Sequence, residues 1–285
     1  MSDIIFERVS FTYSETDLYP PADDDADGAA MVLDGISVTV QRGEFVAIIG
    51  ANGSGKSTFA RHINALLLPS AGRALTVGLD TSDPDLLFTI RSHAGMVFQN
   101  PNAQIVASVV ADDVAFGPEN LNVQPPELQD RVAQALDTVA MGDYIEADPA
   151  QLSGGQRQRV SIAGILAMRP DILILDEPGA MLDVRGRRGI RRIVRELNAA
   201  GMTIVLITHS MEEASEAQRV LVLDQGRIVL DGPPEQVFTQ YKMLRRLGLD
   251  APFAIQLAEA LRQRGLAVPE TISQADLKEL LCSWY

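Results

Sequence analysis

The sequence has little cysteine and no long apolar run. Its single cysteine, Cys282, permits no disulfide within the chain, which excludes a disulfide-stapled scaffold and fits a reducing compartment. No stretch approaches the roughly 20 apolar residues that cross a bilayer, and the first residues do not have the pattern of a signal peptide. We therefore expect the protein to stay in the cytoplasm, and any membrane role would require a membrane-embedded partner.

Basic residues are also scarce. The 24 Lys+Arg against 38 Asp+Glu give a net charge of −14, and the isoelectric point is near 4.6. Phosphate backbones attract basic surfaces, so this balance argues against nucleic acid as a partner. Six arginines between positions 185 and 195 are the exception, and they could bind nucleic acid or a partner protein. The solvated face of a helix is the interpretation that we favour for them.

The 285 residues are otherwise of ordinary globular composition, with 46% hydrophobic and 22% charged residues. Apolar strands that alternate with helical segments predict an α/β fold with a parallel sheet. Residues 14–30 form an acidic insertion that we expect to be a flexible loop. The predicted strands are Ile4–Val9, Val32–Val40, Phe45–Ile49, Gly95–Phe98, Ile172–Leu175, Thr203–Thr208 and a hairpin of Val220–Asp224 with Gly226–Leu230. The predicted helices are Lys56–Leu68, Glu127–Val139, Gly155–Met168, Arg187–Ala199, Met211–Gln218, Glu235–Leu247, Pro252–Arg264 and Ser273–Leu281.

A glycine-rich segment with the P-loop pattern joins the third predicted strand to the first predicted helix. Its glycines let several backbone N–H groups point at a polyphosphate, and the helix N-terminus adds positive potential. Lys56 would neutralise the outer phosphates, Ser57 would bind Mg²⁺, and Thr58 would donate a hydrogen bond to a phosphate. The nucleotide-binding residues predicted here are Gly50, Asn52, Gly53, Ser54, Gly55, Lys56, Ser57 and Thr58.

Three further strands end in polar side chains, and parallel strands deliver such residues to one edge of the sheet. Asp176 is placed to hold Mg²⁺, and Glu177 to polarise an attacking water. His209 follows another buried strand and could donate to a terminal phosphate. Gln99 ends a short strand, where its amide could reach the metal or the water. His62 and His93 lack such placement and are interpreted as structural.

A second anion-binding element lies far from the P-loop in sequence. Ser153, Gly154, Gly155 and Gln156 immediately precede or open a predicted helix, which is a typical phosphate-binding arrangement. Two such elements in one chain are unexpected for a simple kinase-like enzyme.

In their order along the chain, these motifs resemble those of the ATP-binding-cassette (ABC) ATPases. Gly50–Ser57 is similar to the Walker A motif, Leu152–Gln156 to the signature, and Ile172–Glu177 to Walker B. Gln99 resembles the Q-loop residue, and His209 the switch histidine. Further along, residues 180–183 resemble the D-loop, while Tyr13 resembles the aromatic residue that stacks on adenine.

The resemblance implies a fold, a set of ligands and an assembly. The fold would be a P-loop NTPase of the ABC type over residues 1–232, with a RecA-like core, an antiparallel β part and a helical subdomain at about residues 100–168. Residues 233–285 would be a helical extension. The ligands would be ATP and Mg²⁺, the latter held by Ser57, Gln99 and Asp176. Two cassettes would pair head to tail, so that Ser153–Gln156 of one contact the nucleotide of the other.

Finer features resemble one subfamily, the ATPases of energy-coupling factor (ECF) importers for vitamins and transition metals, in particular the first of their two types. They are the segments Val97–Pro101 with Gln104, Asp112–Asn120, and the helical tail. The partners implied are a second ABC ATPase (a non-identical relative or a copy of this chain), a transmembrane coupling protein and a substrate-binding membrane protein. Two alternatives remain open: the ATPase of a binding-protein-dependent ABC importer of amino acids or metals, and a non-transport ABC ATPase.

Overall fold

A computed structural model describes residues 2–13, 31–269 and 274–284. The predicted acidic loop and the start of the last predicted helix lie outside these residues. Within them, no helix is long and apolar enough to span a bilayer. The strands are β1 Ser2–Thr12, β2 Met31–Gln41, β3 Phe45–Gly50, β4 Ala71–Thr76, β5 Leu79–Asp80, β6 Ala94–Val97, β7 Ile172–Asp176, β8 Thr203–Ile207, β9 Arg219–Asp224 and β10 Arg227–Gly232. The α-helices are α1 Lys56–Ile63, α2 Leu87–His93, α3 Val110–Asn120, α4 Glu127–Thr138, α5 Gly154–Ala167, α6 Val184–Ala199, α7 Met211–Ala214, α8 Pro234–Thr239, α9 Tyr241–Arg246, α10 Phe253–Gln263 and α11 Gln274–Cys282.

A six-stranded sheet with the order β10-β9-β3-β8-β7-β6 forms the centre of the fold. All its pairings are parallel except that of β10 with β9, which is the predicted hairpin. Every residue of β3, β7 and β8 is buried, because helices or the second sheet cover both faces. This burial explains why these strands are continuous runs of apolar, largely β-branched residues.

A four-stranded antiparallel sheet with the order β2-β1-β4-β5 packs beside the P-loop helix. Its inward side chains alternate along β1 and β2, as in a sheet with one buried face. Phe6 of β1 contacts Phe59 of α1, with ring centroids 4.7 Å apart. The same buried cluster includes Ile48 of β3 and Ile174 of β7, so it joins the two sheets.

Helices α3, α4 and α5 form the helical part that the resemblance implies. Residues of all three lie in the larger core cluster, including Val114, Leu136 and Val160. The predicted α/β fold with a parallel sheet is thereby confirmed, together with an antiparallel β part and a helical part. The exact division into domains at residues 100, 168 and 232 stays a prediction.

Three predicted helices are too long. The helix predicted as Lys56–Leu68 ends at Ile63, and Ala65 then adopts a φ of +53°. The helix predicted as Met211–Gln218 ends at Ala214, because Gln218 instead hydrogen-bonds to both backbone groups of Phe45. The helix predicted as Glu235–Leu247 is two helices, α8 and α9, separated at Gln240, whose ψ of +32° departs from helical geometry.

The tail packs in two ways. Val237, Phe238 and Leu244 belong to the larger core cluster, so α8 and α9 pack against the core that contains the six-stranded sheet. Ala258 of α10 and Leu277 of α11 belong to a separate small cluster. The arginines of α6 largely line its exposed face, as expected, while Arg191 forms an ion pair with Glu216.

Candidate active site

The register of the parallel sheet brings the predicted polar residues to one edge. β6 pairs with β7, β7 with β8, and β8 with β3, all in parallel. Their carboxyl ends therefore lie side by side. Gln99, Asp176, His209 and the segment from Gly50 each follow or end one of these four strands.

The P-loop turns directly into a helix because of one glycine. Gly55 is the N-cap of α1 and has a φ of +100°, a conformation that side chains with a Cβ rarely adopt. A Cβ there would also lie 2.8 Å from the carbonyl oxygen of Val32. α1 consequently begins at Lys56, with its free N–H groups pointing back into the loop.

Lys56 lies folded into the P-loop. Its Nζ donates to the carbonyl oxygens of Gly50 at 3.0 Å and Ala51 at 2.9 Å. Burial lowers the pKa of Lys56, an effect partly offset by the negative charges of Glu177 and Asp176. The Ser54 hydroxyl, in the same loop, is buried and has no hydrogen-bond partner among the described residues. Phosphate oxygens could accept hydrogen bonds from both the Lys56 ammonium group and the Ser54 hydroxyl.

Asp176 and Ser57 face each other across the loop. The Ser57 hydroxyl donates to Asp176 Oδ1 at 3.2 Å. Burial raises the pKa of Asp176, and the hydrogen bond from Ser57 only partly offsets this. A hydroxyl and a carboxylate oxygen are ligands that Mg²⁺ prefers. The pair thus fits the predicted metal site, while the amide of Gln99 is turned toward Glu177.

Glu177 has both carboxylate oxygens engaged. His209 Nε2 lies 2.7 Å from Oε1, and Gln99 Nε2 donates to Oε2 at 3.0 Å. The backbone of Glu177 has a φ of +48°, and its N–H donates to the carbonyl oxygen of Ile207 at 3.0 Å. A residue other than glycine in this left-handed region is strained, and such strain is concentrated at functional sites.

Sequence reasoning missed the residue that holds the histidine loop. The buried Glu213 accepts a hydrogen bond from the Thr208 hydroxyl at 2.6 Å, and Thr208 Oγ1 accepts from the N–H of Ser210 at 3.0 Å. These bonds flank His209 on both sides. Ser210 and Glu213 have the spacing of a capping box, and the Ser210 hydroxyl accepts from the Glu213 N–H. That spacing is the signal that could have identified Glu213.

The second anion-binding element lies apart from this cluster. Ser153 is the N-cap of α5 and forms a capping box with Gln156: Ser153 Oγ accepts from Gln156 N at 3.3 Å, and Gln156 Oε1 accepts from Ser153 N at 2.9 Å. Across residues 2–13, 31–269 and 274–284, no hydrogen bond or ion pair connects Ser153–Gln156 to the P-loop or to Glu177. Within one chain, the two predicted phosphate-binding elements do not meet.

Tyr13 lies at the end of β1 beside the start of α1. Its hydroxyl is 3.0 Å from Thr58 Oγ1. The residue predicted to contact adenine is therefore bonded to a residue predicted to contact phosphate. This links the two ends of the predicted nucleotide site.

Comparison with known proteins shows that this chain is similar to ABC transporter ATPases. The family model of the ABC transporters matches residues 33–180. The energy-coupling factor transporter ATP-binding protein EcfA1 of Symbiobacterium thermophilum is 53% identical over 99% of this chain and 97% of its own length. EcfA1 of Caldanaerobacter subterraneus subsp. tengcongensis is 48% identical over 97% of each chain.

Two solved structures extend the comparison. The structure of cbiO1 from Clostridium perfringens, part of the ABC transporter complex cbiONQ, has a TM-score of 0.75 and 34% identity, and it matches 90% of this chain and 99% of its own. The ATP-binding cassette MJ0796, in a dimeric post-hydrolysis state bound to ADP and Pi, has a TM-score of 0.71 and 29% identity, over 81% of this chain and 98% of its own.

The raised pKa of Asp176 predicts a stability effect. A raised pKa means that the folded chain binds this proton more tightly than the unfolded chain does. The charged carboxylate therefore destabilises the fold above the ordinary carboxyl pKa, and this cost disappears well below it. In the absence of nucleotide and Mg²⁺, we expect D176N to unfold at a higher temperature than the wild type at pH 7. The difference should shrink toward about pH 4, near the ordinary carboxyl pKa.

The measurement is thermal unfolding followed by circular dichroism at both pH values. D250N is the matched control, since Asp250 is exposed and should show no such pH-dependent gain. A lower unfolding temperature for D176N than for the wild type at pH 7 would contradict the burial argument.

Proposed function

This chain belongs to the ABC transporter family, and we propose that it is the ATP-hydrolysing subunit of an ECF-type importer of vitamins or transition-metal ions. The proposal for the ATPase reaction rests on one observation above all. The Glu177 carboxylate is held between His209 and Gln99 at the sheet edge that also carries the P-loop. The ECF assignment is supported by the identity of 53% to a protein of that name over nearly the whole chain.

In the reaction, the P-loop binds the triphosphate. The Nζ of Lys56 exchanges the carbonyl oxygens of Gly50 and Ala51 for phosphate oxygens, and the Ser54 hydroxyl gains the acceptor that it lacks. Lys56 thereby gains a charged acceptor in place of neutral carbonyl oxygens, and Ser54 gains an acceptor where it has none among the described residues. Both changes favour binding. Tyr13 contacts the adenine ring from the end of β1.

Hydrolysis would be carried out by the strand-end cluster. Glu177 accepts a proton from the attacking water as that water adds to the terminal phosphorus. His209 Nε2 orients the Glu177 carboxylate before the nucleotide binds, and it would exchange this contact for a hydrogen bond donated to the terminal phosphate. Ser57, Asp176 and Gln99 would hold Mg²⁺, which would supply neutralisation of the charge on the phosphate oxygens. Reaching the metal requires Gln99 to turn from Glu177, which frees one carboxylate oxygen for water.

Two cassettes would complete each site. Because Ser153–Gln156 do not reach the P-loop of their own chain, a second cassette would bring the equivalent helix N-terminus to this nucleotide. The dimeric state of the MJ0796 cassette bound to ADP and Pi supports this arrangement. We propose that the second cassette is a related ECF ATPase or a copy of this chain.

A cleft that Gln104 helps to line is the proposed docking site for a transmembrane coupling protein, which would itself contact a substrate-binding membrane protein. The cleft has a volume of about 270 Å³, and its mainly apolar lining includes Phe88, Val106 and Phe116, all highly exposed. Gln104, at its wall, accepts from the Phe98 N–H at 2.8 Å and donates to the Met96 carbonyl oxygen at 3.1 Å. A displacement of the cleft wall would therefore act on β6, the strand that Gln99 follows. This partner would hold the chain peripherally at the cytoplasmic face of the membrane.

The role of Glu177 is tested by E177Q. The amide cannot accept the proton of the water, so we expect steady-state ATP hydrolysis to fall about a hundredfold to ten-thousandfold, the range for a general base. ATP affinity should remain near that of the wild type. E212Q is the control, since Glu212 is an exposed neighbour of the histidine loop that carries the same charge. Hydrolysis by E177Q at the wild-type rate would contradict the assigned role.

The docking cleft is tested by F116D. A buried carboxylate at an apolar interface is costly, so co-purification of the transmembrane coupling protein should drop at least about tenfold. ATP binding should persist, because Phe116 is 53% exposed and its replacement leaves the core intact. M31D, which places the same charge at another exposed apolar residue, should retain the coupling protein. Equal retention by F116D and M31D would exclude this cleft as the docking site.

A further inference from the structure

A closed ring of four contacts joins the predicted adenine contact to the P-loop helix. The Tyr13 hydroxyl lies 3.0 Å from Thr58 Oγ1. The carbonyl oxygen of Thr58 lies 2.7 Å from His62 Nδ1. The His62 ring packs against Phe11 with centroids 4.8 Å apart, and Phe11 packs against Tyr13 with centroids 4.9 Å apart. Both ring pairs are edge-to-face, a favourable geometry for aromatic contacts.

His62 is the buried member of this ring on the helix side. Its side chain is fully enclosed between β1 and α1, where Phe6 contacts it as well. Because a carbonyl oxygen can only accept, Nδ1 must donate, which fixes the rotation of the imidazole ring. Burial lowers the pKa of His62, partly offset by the carbonyl oxygens of Thr58 and Leu68, so the ring is neutral at physiological pH.

Tyr13 borders the part of the chain that the structure does not describe, so the contacts that follow are those it makes with the described residues alone. It follows the last residue of β1, and its ring is only half buried. In the cycle of four contacts, Tyr13 touches Phe11 through its ring and Thr58 through its hydroxyl. Phe11 is itself 4% exposed and has His62 on one side and Tyr13 on the other. The imidazole therefore packs against the same Phe11 ring that the Tyr13 ring contacts.

We infer that His62 is a positioning residue for nucleotide binding, which acts on the adenine base through Phe11 and Tyr13 and not on the phosphates. The inference rests on the proposed role of Tyr13 as the adenine contact. It assigns to His62 a part in base affinity, although no group of its side chain reaches solvent.

The test compares two ligands that share a polyphosphate, of which only one has a base. We expect H62L, which fills the space but lacks the aromatic edge and the donor, to bind ATP about five- to tenfold more weakly, a fraction of what a base–aromatic stack contributes. Inorganic tripolyphosphate should bind the variant within about twofold of the wild type. H62F, which restores an aromatic edge to Phe11, should recover ATP affinity to within about twofold. Calorimetric titration of each full-length variant with ATP and with tripolyphosphate measures these affinities.

A double-mutant cycle with Y13A separates positioning from general destabilisation. If His62 acts through Tyr13, H62L should cause no further loss of ATP affinity in the Y13A background. H93L is the matched control: His93 Nδ1 lies 2.5 Å from Asp171 Oδ2, away from this cycle of contacts, and its replacement should leave both affinities unchanged. Circular dichroism establishes that each variant is folded. If H62L is unfolded, H62N takes its place: it keeps a donor near Nδ1 but lacks the imidazole ring, and it should show the same loss of ATP affinity.

The outcomes are distinct. Equal losses for ATP and tripolyphosphate, additive losses in the Y13A background, or no loss at all would overturn the role of His62. If Y13A alone weakens ATP no more than tripolyphosphate, the adenine contact itself is refuted and the inference falls with it. The ATPase assignment, which E177Q tests, would be unaffected by either result.

Discussion

The arrangement of this molecule depends on four parallel strands that end at one edge of a sheet. β3, β8, β7 and β6 are adjacent and in register, and β3, β7 and β8 are buried along their whole length. Apolar contacts on both faces fix the strands, so the polar residues that follow them have almost no freedom in where they lie. Gln99, Asp176 and His209 are neighbours for this reason, although up to 110 positions separate them in the sequence (209 − 99 = 110).

The same burial that fixes the positions of these residues also makes their charged forms less stable. It lowers the pKa of Lys56 and raises the pKa of Asp176, so each charge is partly desolvated before any nucleotide is present. Their mutual attraction and the Ser57 hydroxyl offset part of this cost. The left-handed backbone of Glu177 adds conformational strain at the same place. A triphosphate with a divalent cation would provide the countercharges and acceptors that the folded chain alone does not supply.

The sequence was sufficient to predict this edge, because the P-loop and the acids after Ile172–Leu175 each follow a recognisable apolar strand. It was not sufficient for elements formed by tertiary contacts. α3 contains Gly117 and Pro118, which weaken a helical pattern, yet Gly117 allows close packing on Met168 of the neighbouring segment. β4 includes Gly72 and Arg73 and forms because β1 offers it a pairing edge.

Among the described residues, the predicted second anion-binding element, Ser153–Gln156, makes no hydrogen bond or ion pair with the P-loop, and this is the strongest reason to propose a site shared between two cassettes. Ser153 caps α5 and is exposed, while the P-loop lies elsewhere. The direct test is photoaffinity labelling by a vanadate-trapped azido-ATP in the complex assembled with S153R in this chain only. The account predicts that label is lost from the partner cassette and retained on this chain. Loss of label from this chain, with the partner cassette still labelled, would contradict it.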